Sequence, residues 1–160
     1  MLEWLLPGYE HLQNFHPVVV HFPLAFLPGA ALSYALAWAS GRDFWAWAGL
    51  WLLVLGTVGA AVAVGSGLYG AEGVMIARSV RAHLLDNHKY LMGGASALSG
   101  ALTLWAAIAR PFPARARIAF AALMVVMMGL LVWGADYGDR MVYDYNAGGD
   151  ACPQPIEFHG

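Results

Sequence analysis

His16-Pro17-Val18-Val19-Val20-His21-Phe22-Pro23 opens an uncharged run that lasts through residues 17–39. About 20 apolar residues at a helical rise of about 1.5 Å cross the roughly 30 Å hydrocarbon layer of a bilayer. Pro17 suits the first turn of a helix, where a missing N–H is no loss. Pro23 and Pro28 fall inside the run and free backbone carbonyls that the interior of a bundle has to satisfy. Three more uncharged runs follow, at 44–71, 90–109 and 118–135. Short connections between four crossings predict an all-α, integral membrane, antiparallel four-helix bundle with both termini on the same side. The expected spans are 17–39, 44–71, 88–109 and 118–135, preceded by an interfacial segment over 1–16 and followed by an extramembrane Gly- and Tyr-rich tail over 136–160.

Composition agrees with that division. Hydrophobic residues make up 60% of the chain and charged residues 11%, whereas about a quarter of a soluble domain is charged. The net charge of −2 excludes a nucleic-acid surface, which needs a basic stripe. One cysteine, Cys152, permits neither an intrachain disulfide nor a Cys-x-x-Cys-His haem attachment. The first ten residues hold Glu3 and Glu10 and no base, so no removable signal peptide is expected and the first span directs its own insertion. Glycines such as Gly56, Gly59 and Gly67 in the second run, and Gly93, Gly94 and Gly100 in the third, offer small faces for close helix approach. The seven tryptophans lie mostly near span ends, as an interfacial belt does.

Chain parity decides where the chemistry gathers. The start of span 1, the end of span 2, the start of span 3 and the end of span 4 meet at one membrane boundary. His11, His16, His21, Glu72, His83, Asp86, His88, Asp136, Asp139, Asp144, Cys152 and His159 all belong to that end, whereas Arg42, Asp43, Arg110, Arg115 and Arg117 belong to the other. The short Arg-rich turns favour the cytoplasm for the latter and a periplasmic histidine face with both termini. His-x4-His opens span 1 and again span 3, and each is followed by a span, an Arg-containing turn and a second span. That is the pattern of two helical hairpins related by an axis along the membrane normal.

Helical positions five apart sit about 140° apart and 7.5 Å along the axis. His16 and His21 therefore do not share one ion from a single regular helix, and neither do His83 and His88. Matching by depth across helices pairs His21 with His88 and His16 with His83. Facing imidazoles from different helices are how a bundle holds a b-type haem, one or two here, without covalent attachment. The same four histidines could instead ligate Zn or Cu, with Glu72 or Asp86 adding an oxygen ligand or orienting a ring. A boundary histidine also serves simply by hydrogen-bonding water or a freed carbonyl. Residues 141–145, Tyr143 included, would cap the site and limit water. Met124, Met127 and Met128 lie mid-span, where packing is the ordinary use of methionine. No nucleophile–base arrangement, phosphate loop or His-Glu-x-x-His motif is present, which disfavours a hydrolase.

The opening motif, with Leu24-Ala25 after it, resembles that of a bacterial membrane family catalogued as domain of unknown function 2231. Its members start with His-Pro, a few apolar residues and Phe-Pro. Gly138-Asp139-Arg140-Met141-Val142-Tyr143-Asp144-Tyr145 is similar to the family's closing Gly-Gly-x-Leu-Val-Tyr-x-Tyr-Gly, with Asp139 in place of the second Gly and Asn146 in place of the last. His88 or His83 resembles the family's histidine at the third span. The resemblance implies a four-span protein of the bacterial inner membrane. It also implies an association with Rieske-type iron–sulfur domains, and hence electron transfer. The expected function is a non-catalytic b-type haem subunit relaying electrons between the quinone pool and an outer-face redox partner, with His21 and His88 as ligands and His16 and His83 as the alternative or second pair. A Zn or Cu binding or transport protein, and a structural subunit of a larger respiratory or photosynthetic complex, are the alternatives.

Overall fold

The computed structural model describes residues 15–71, 77–145 and 147. The interfacial segment expected over 1–16 falls outside them apart from Phe15 and His16, as do Glu72, Cys152, His11 and His159.

Four rods make up the described chain. Helix α1, His16–Val19, holds Pro17 in its first turn and gives way at Val20 to α2, His21–Ser40. The interruption has a local cause: Pro23 cannot donate to the carbonyl four residues back, so the ladder slackens there. Gly41 ends α2 in the left-handed region at φ 65°, its N–H bonded to the Ala37 carbonyl at 2.9 Å. Glycine takes that conformation without a steric penalty. Helix α3, Asp43–Gly70, starts with an acid in its first turn, where the helix dipole favours negative charge.

The second hairpin begins with α4, Arg78–Val80, runs through a π turn, Arg81–Leu85, and continues as α5, Asp86–Ala109. A 3₁₀ turn, Ala114–Ala116, leads into α6, Arg117–Tyr143. Each rod is long and apolar enough to cross a membrane, with 25, 28, 32 and 30 residues.

The helices outlast the uncharged runs that marked them. Residues 78–87, ahead of the span expected from 88, are helical, and α6 continues through 136–143. Packing explains both extensions. Leu84 and Leu85 from the π turn, Met141 from the end of α6 and Ala71 bury one another in a small cluster flanked by Val80 and Tyr137.

The main core lies farther along the bundle and takes Leu27, Ala30, Tyr34, Leu50, Leu53, Leu102, Ala106, Phe120, Met124, Met127 and Leu131. Met124 and Met127 are buried there as packing groups. Within the first hairpin α2 lies so close to α3 that a Cβ on Gly56 would sit 2.6 Å from Leu27 Cδ2. Between hairpins, α3 meets α5 through Thr57 and Thr103, whose hydroxyls are 2.8 Å apart. Such bonds between transmembrane helices contribute roughly 0.6 kcal/mol on average.

Both hairpin turns occupy one end of the bundle. The Arg117 guanidinium lies 5.2 Å over the Trp38 ring, and Tyr34 Oη donates to the Pro111 carbonyl at 3.2 Å. Tyr34, Phe112, Trp105 and Phe120 interlock beneath them, with ring centres 4.9 to 5.8 Å apart. Helices α2 and α6 touch lightly and leave a groove between the hairpins.

Candidate functional site

His16 opens α1, and its ring turns toward α3. Its Nδ1 donates to the Ala63 carbonyl at 2.9 Å and lies 3.2 Å from Ser66 Oγ, which itself donates to that carbonyl at 3.0 Å. Gly67, one turn past Ala63, carries no side chain where one would strike the ring; a Cβ there would be 2.9 Å from His16 Cε1.

His88, near the start of α5, repeats the arrangement in the second hairpin. Its Nδ1 donates to the Gly134 carbonyl of α6 at 2.8 Å, and a Cβ on Gly138 would be 3.0 Å from its Cε1. Each imidazole reaches across its own hairpin, 47 residues along the chain in one case and 46 in the other. Each takes a backbone carbonyl and leans on the glycine one turn later. The two hairpins thus place one histidine each in like surroundings, in a register other than that of His-x4-His. His16 corresponds to His88, whereas the motif aligned His16 with His83.

The two rings then meet each other. Their centroids are 6.3 Å apart with the planes at 89°. With ring bonds of about 1.33 Å, an imidazole nitrogen lies about 1.1 Å from its ring centre. Nitrogens on these two rings therefore come no closer than about 4 Å, too far for a direct hydrogen bond. A carbonyl only accepts, so both Nδ1 atoms carry the proton and the lone pair of each neutral ring resides on Nε2. Bonds of this kind fix ring orientation and strengthen the other nitrogen as a ligand. Carbonyl bonding is the ordinary structural use of a boundary histidine, and it engages one nitrogen of each ring.

The other expected groups stand apart from this pair. The depth-matched pairing of His21 with His88 and of His16 with His83 does not occur: His21 is exposed on α2, and His83 is exposed in the π turn with its ring 6.0 Å from Tyr137. One member of each His-x4-His turns to the partner helix and the other is exposed. The glycine on the partner helix decides which member it is. Gly67 and Gly138 receive His16 and His88. Asp86 pairs with Lys89 at 4.0 Å, and Tyr143 is 84% exposed at the end of α6. Glu72 lies outside the described residues. Among the described residues no three His, Cys, Asp or Glu side chains are grouped so as to hold a metal ion. The sequence signal that points to the right pair is Ala63-x3-Gly67 and Gly134-x3-Gly138, the same small-residue step near the end of each hairpin's second helix.

The sequence pattern of the predicted membrane proteins called DUF2231 matches residues 12–151. The chain belongs to that family. It is a multi-pass membrane protein with four apolar helices among the described residues. No curated protein and no solved structure matches it. What this DUF2231 chain does is therefore argued from the His16–His88 site.

Proposed function

We propose that this DUF2231 protein is a b-type haem electron-transfer subunit of the bacterial inner membrane, with His16 and His88 as the two axial ligands of one haem. The observation that carries this reading is the 6.3 Å between the two rings, each tied through Nδ1 to a backbone carbonyl on its own hairpin. Two imidazoles without a third protein ligand among the described residues suit a porphyrin, which supplies the remaining four nitrogens itself. A zinc site ordinarily takes three or four protein ligands.

Bound haem supplies one-electron exchange. The chain's own residues do the rest. The Ala63 and Gly134 carbonyls orient the rings and hold their Nδ1 protons. Gly67 and Gly138 let the rings seat against the partner helices. The Leu84, Leu85 and Met141 cluster packs the same end of the bundle and limits water. The partners in this reading are the quinone pool and a redox protein on the outer face, with the histidine end periplasmic and the Arg end cytoplasmic.

The test is the absorption spectrum of the purified protein with metal analysis of the same sample. A Soret band with sharp α and β bands on reduction is expected. Zinc or copper without those bands would establish the metal-binding alternative. Neither would leave a structural role in a larger complex.

A further inference from the structure

The likeness between the two hairpins breaks at the residue beside each histidine. Ala63, Ser66 and Gly67 are neighbours on one face of α3, and Gly134, Tyr137 and Gly138 repeat that spacing on α6. The first and last of each set supply the carbonyl and the bare backbone against which a ring sits. The middle residues are unlike. Ser66 Oγ lies 3.2 Å from His16 Nδ1, whereas the Tyr137 ring packs on His83, 6.0 Å away, and beside Leu84, Leu85 and Met141. Among the described residues His88 Nδ1 has the Gly134 carbonyl alone.

The Ser66 hydroxyl is committed by its own bond. It gives its single proton to the Ala63 carbonyl at 3.0 Å, so only lone pairs remain to face the ring. His16 Nδ1 therefore meets two acceptors, the carbonyl at 2.9 Å and the hydroxyl oxygen at 3.2 Å. An unprotonated nitrogen there would oppose lone pairs on both sides, which costs free energy in a half-buried site. One acceptor fixes where the proton sits but lets the ring swing about that bond. A three-centre bond to acceptors a helical turn apart fixes the ring plane as well.

We propose that Ser66 is the positioning residue of His16, its hydroxyl holding the Nδ1–H tautomer and the ring plane, so that His16 is the more firmly held of the two imidazoles. The proposal rests on the haem reading for its purpose, since a ring fixed at Nδ1 keeps Nε2 as its ligand atom.

The test uses the full chain in detergent, labelled with ¹⁵N-histidine, as wild type, Ser66→Ala and Ser66→Thr. Exchange of each imidazole Nδ1–H with water is followed by NMR in haem-free samples. Ser66→Ala should speed exchange at His16 about fivefold, the effect of losing one neutral hydrogen bond, and leave His88 unchanged. Ser66→Thr keeps the hydroxyl and should restore the wild-type rate. In haem-loaded samples, transfer of haem to apomyoglobin should be about tenfold faster from Ser66→Ala, the lower end of what removing such a partner costs a ligand. Unchanged exchange at His16, equal acceleration at both rings, no restoration by Ser66→Thr, or unchanged haem transfer overturns the proposal. Wild-type protein that takes up no haem contradicts the haem reading instead, and the exchange rates then decide the role of Ser66 by themselves.

Discussion

Gly67 lies so close to His16 that a methyl group on it would stand 2.9 Å from the ring's Cε1, and Gly138 stands to His88 in the same way at 3.0 Å. The contacted atoms are the far ends of side chains. A substitution at either glycine therefore displaces an imidazole while the helices stay where they are. Gly67→Ala and Gly138→Ala should each lower haem occupancy several-fold, with a thermal stability change equivalent to less than about 1 kcal/mol because Ala is the better helix former. Haem-to-protein ratio and circular dichroism on the same preparations check this.

Gly56 makes the opposite prediction. A Cβ there meets Leu27 Cδ2 at 2.6 Å, Cγ at 2.8 Å and the Leu27 backbone nitrogen at 3.1 Å, so the helix itself has to move. Gly56→Ala should cost about 1–3 kcal/mol, the usual range for overpacking. Gly129→Ala, which meets nothing within 4 Å, should be neutral or stabilise slightly. Unfolding of both variants in mixed detergent micelles separates them.

The Thr57–Thr103 bond ties α3 to α5, with Thr103 also 3.5 Å from the Leu53 carbonyl. A double-mutant cycle with Thr57→Val and Thr103→Val should return a coupling of roughly 0.5–1 kcal/mol. A coupling near zero would mean that apolar packing alone joins α3 to α5.

The proposed orientation puts the Arg-rich turns in the cytoplasm. In a Cys152→Ser background, Ala114→Cys at the Arg end should react with a membrane-impermeant maleimide only after the cells are opened. Asp144→Cys at the histidine end should react in cells whose outer membrane alone has been permeabilised. Both positions are exposed. The reverse pattern would invert the protein in the membrane and put the His16–His88 site on the cytoplasmic face.

Most of the architecture was legible in the sequence because the bilayer imposes it. Four uncharged runs of spanning length leave few ways to fold, and parity brings His16, His21, His83 and His88 to one end whatever the packing. Helix ends were less legible, since Leu84, Leu85, Tyr137 and Met141 extend helices for one another's sake, and that partnership is tertiary. The choice of histidines was harder still. Depth along the chain favoured His21 opposite His88. The structure selects His16, because a ring needs a carbonyl and a bare backbone opposite it, and Ala63-x-x-x-Gly67 supplies both. The repeat was visible as His-x4-His, but its register depended on glycines in the far helix of each hairpin.

In the proposed function His16 and His88 hold one haem between them. The most direct measurement is the dithionite-reduced minus oxidised spectrum of four purified single variants, His16→Ala, His88→Ala, His21→Ala and His83→Ala, each normalised to protein. The α band is expected to be lost in the first two and retained in the last two. Retention in His16→Ala or His88→Ala, or loss in His21→Ala, would contradict it.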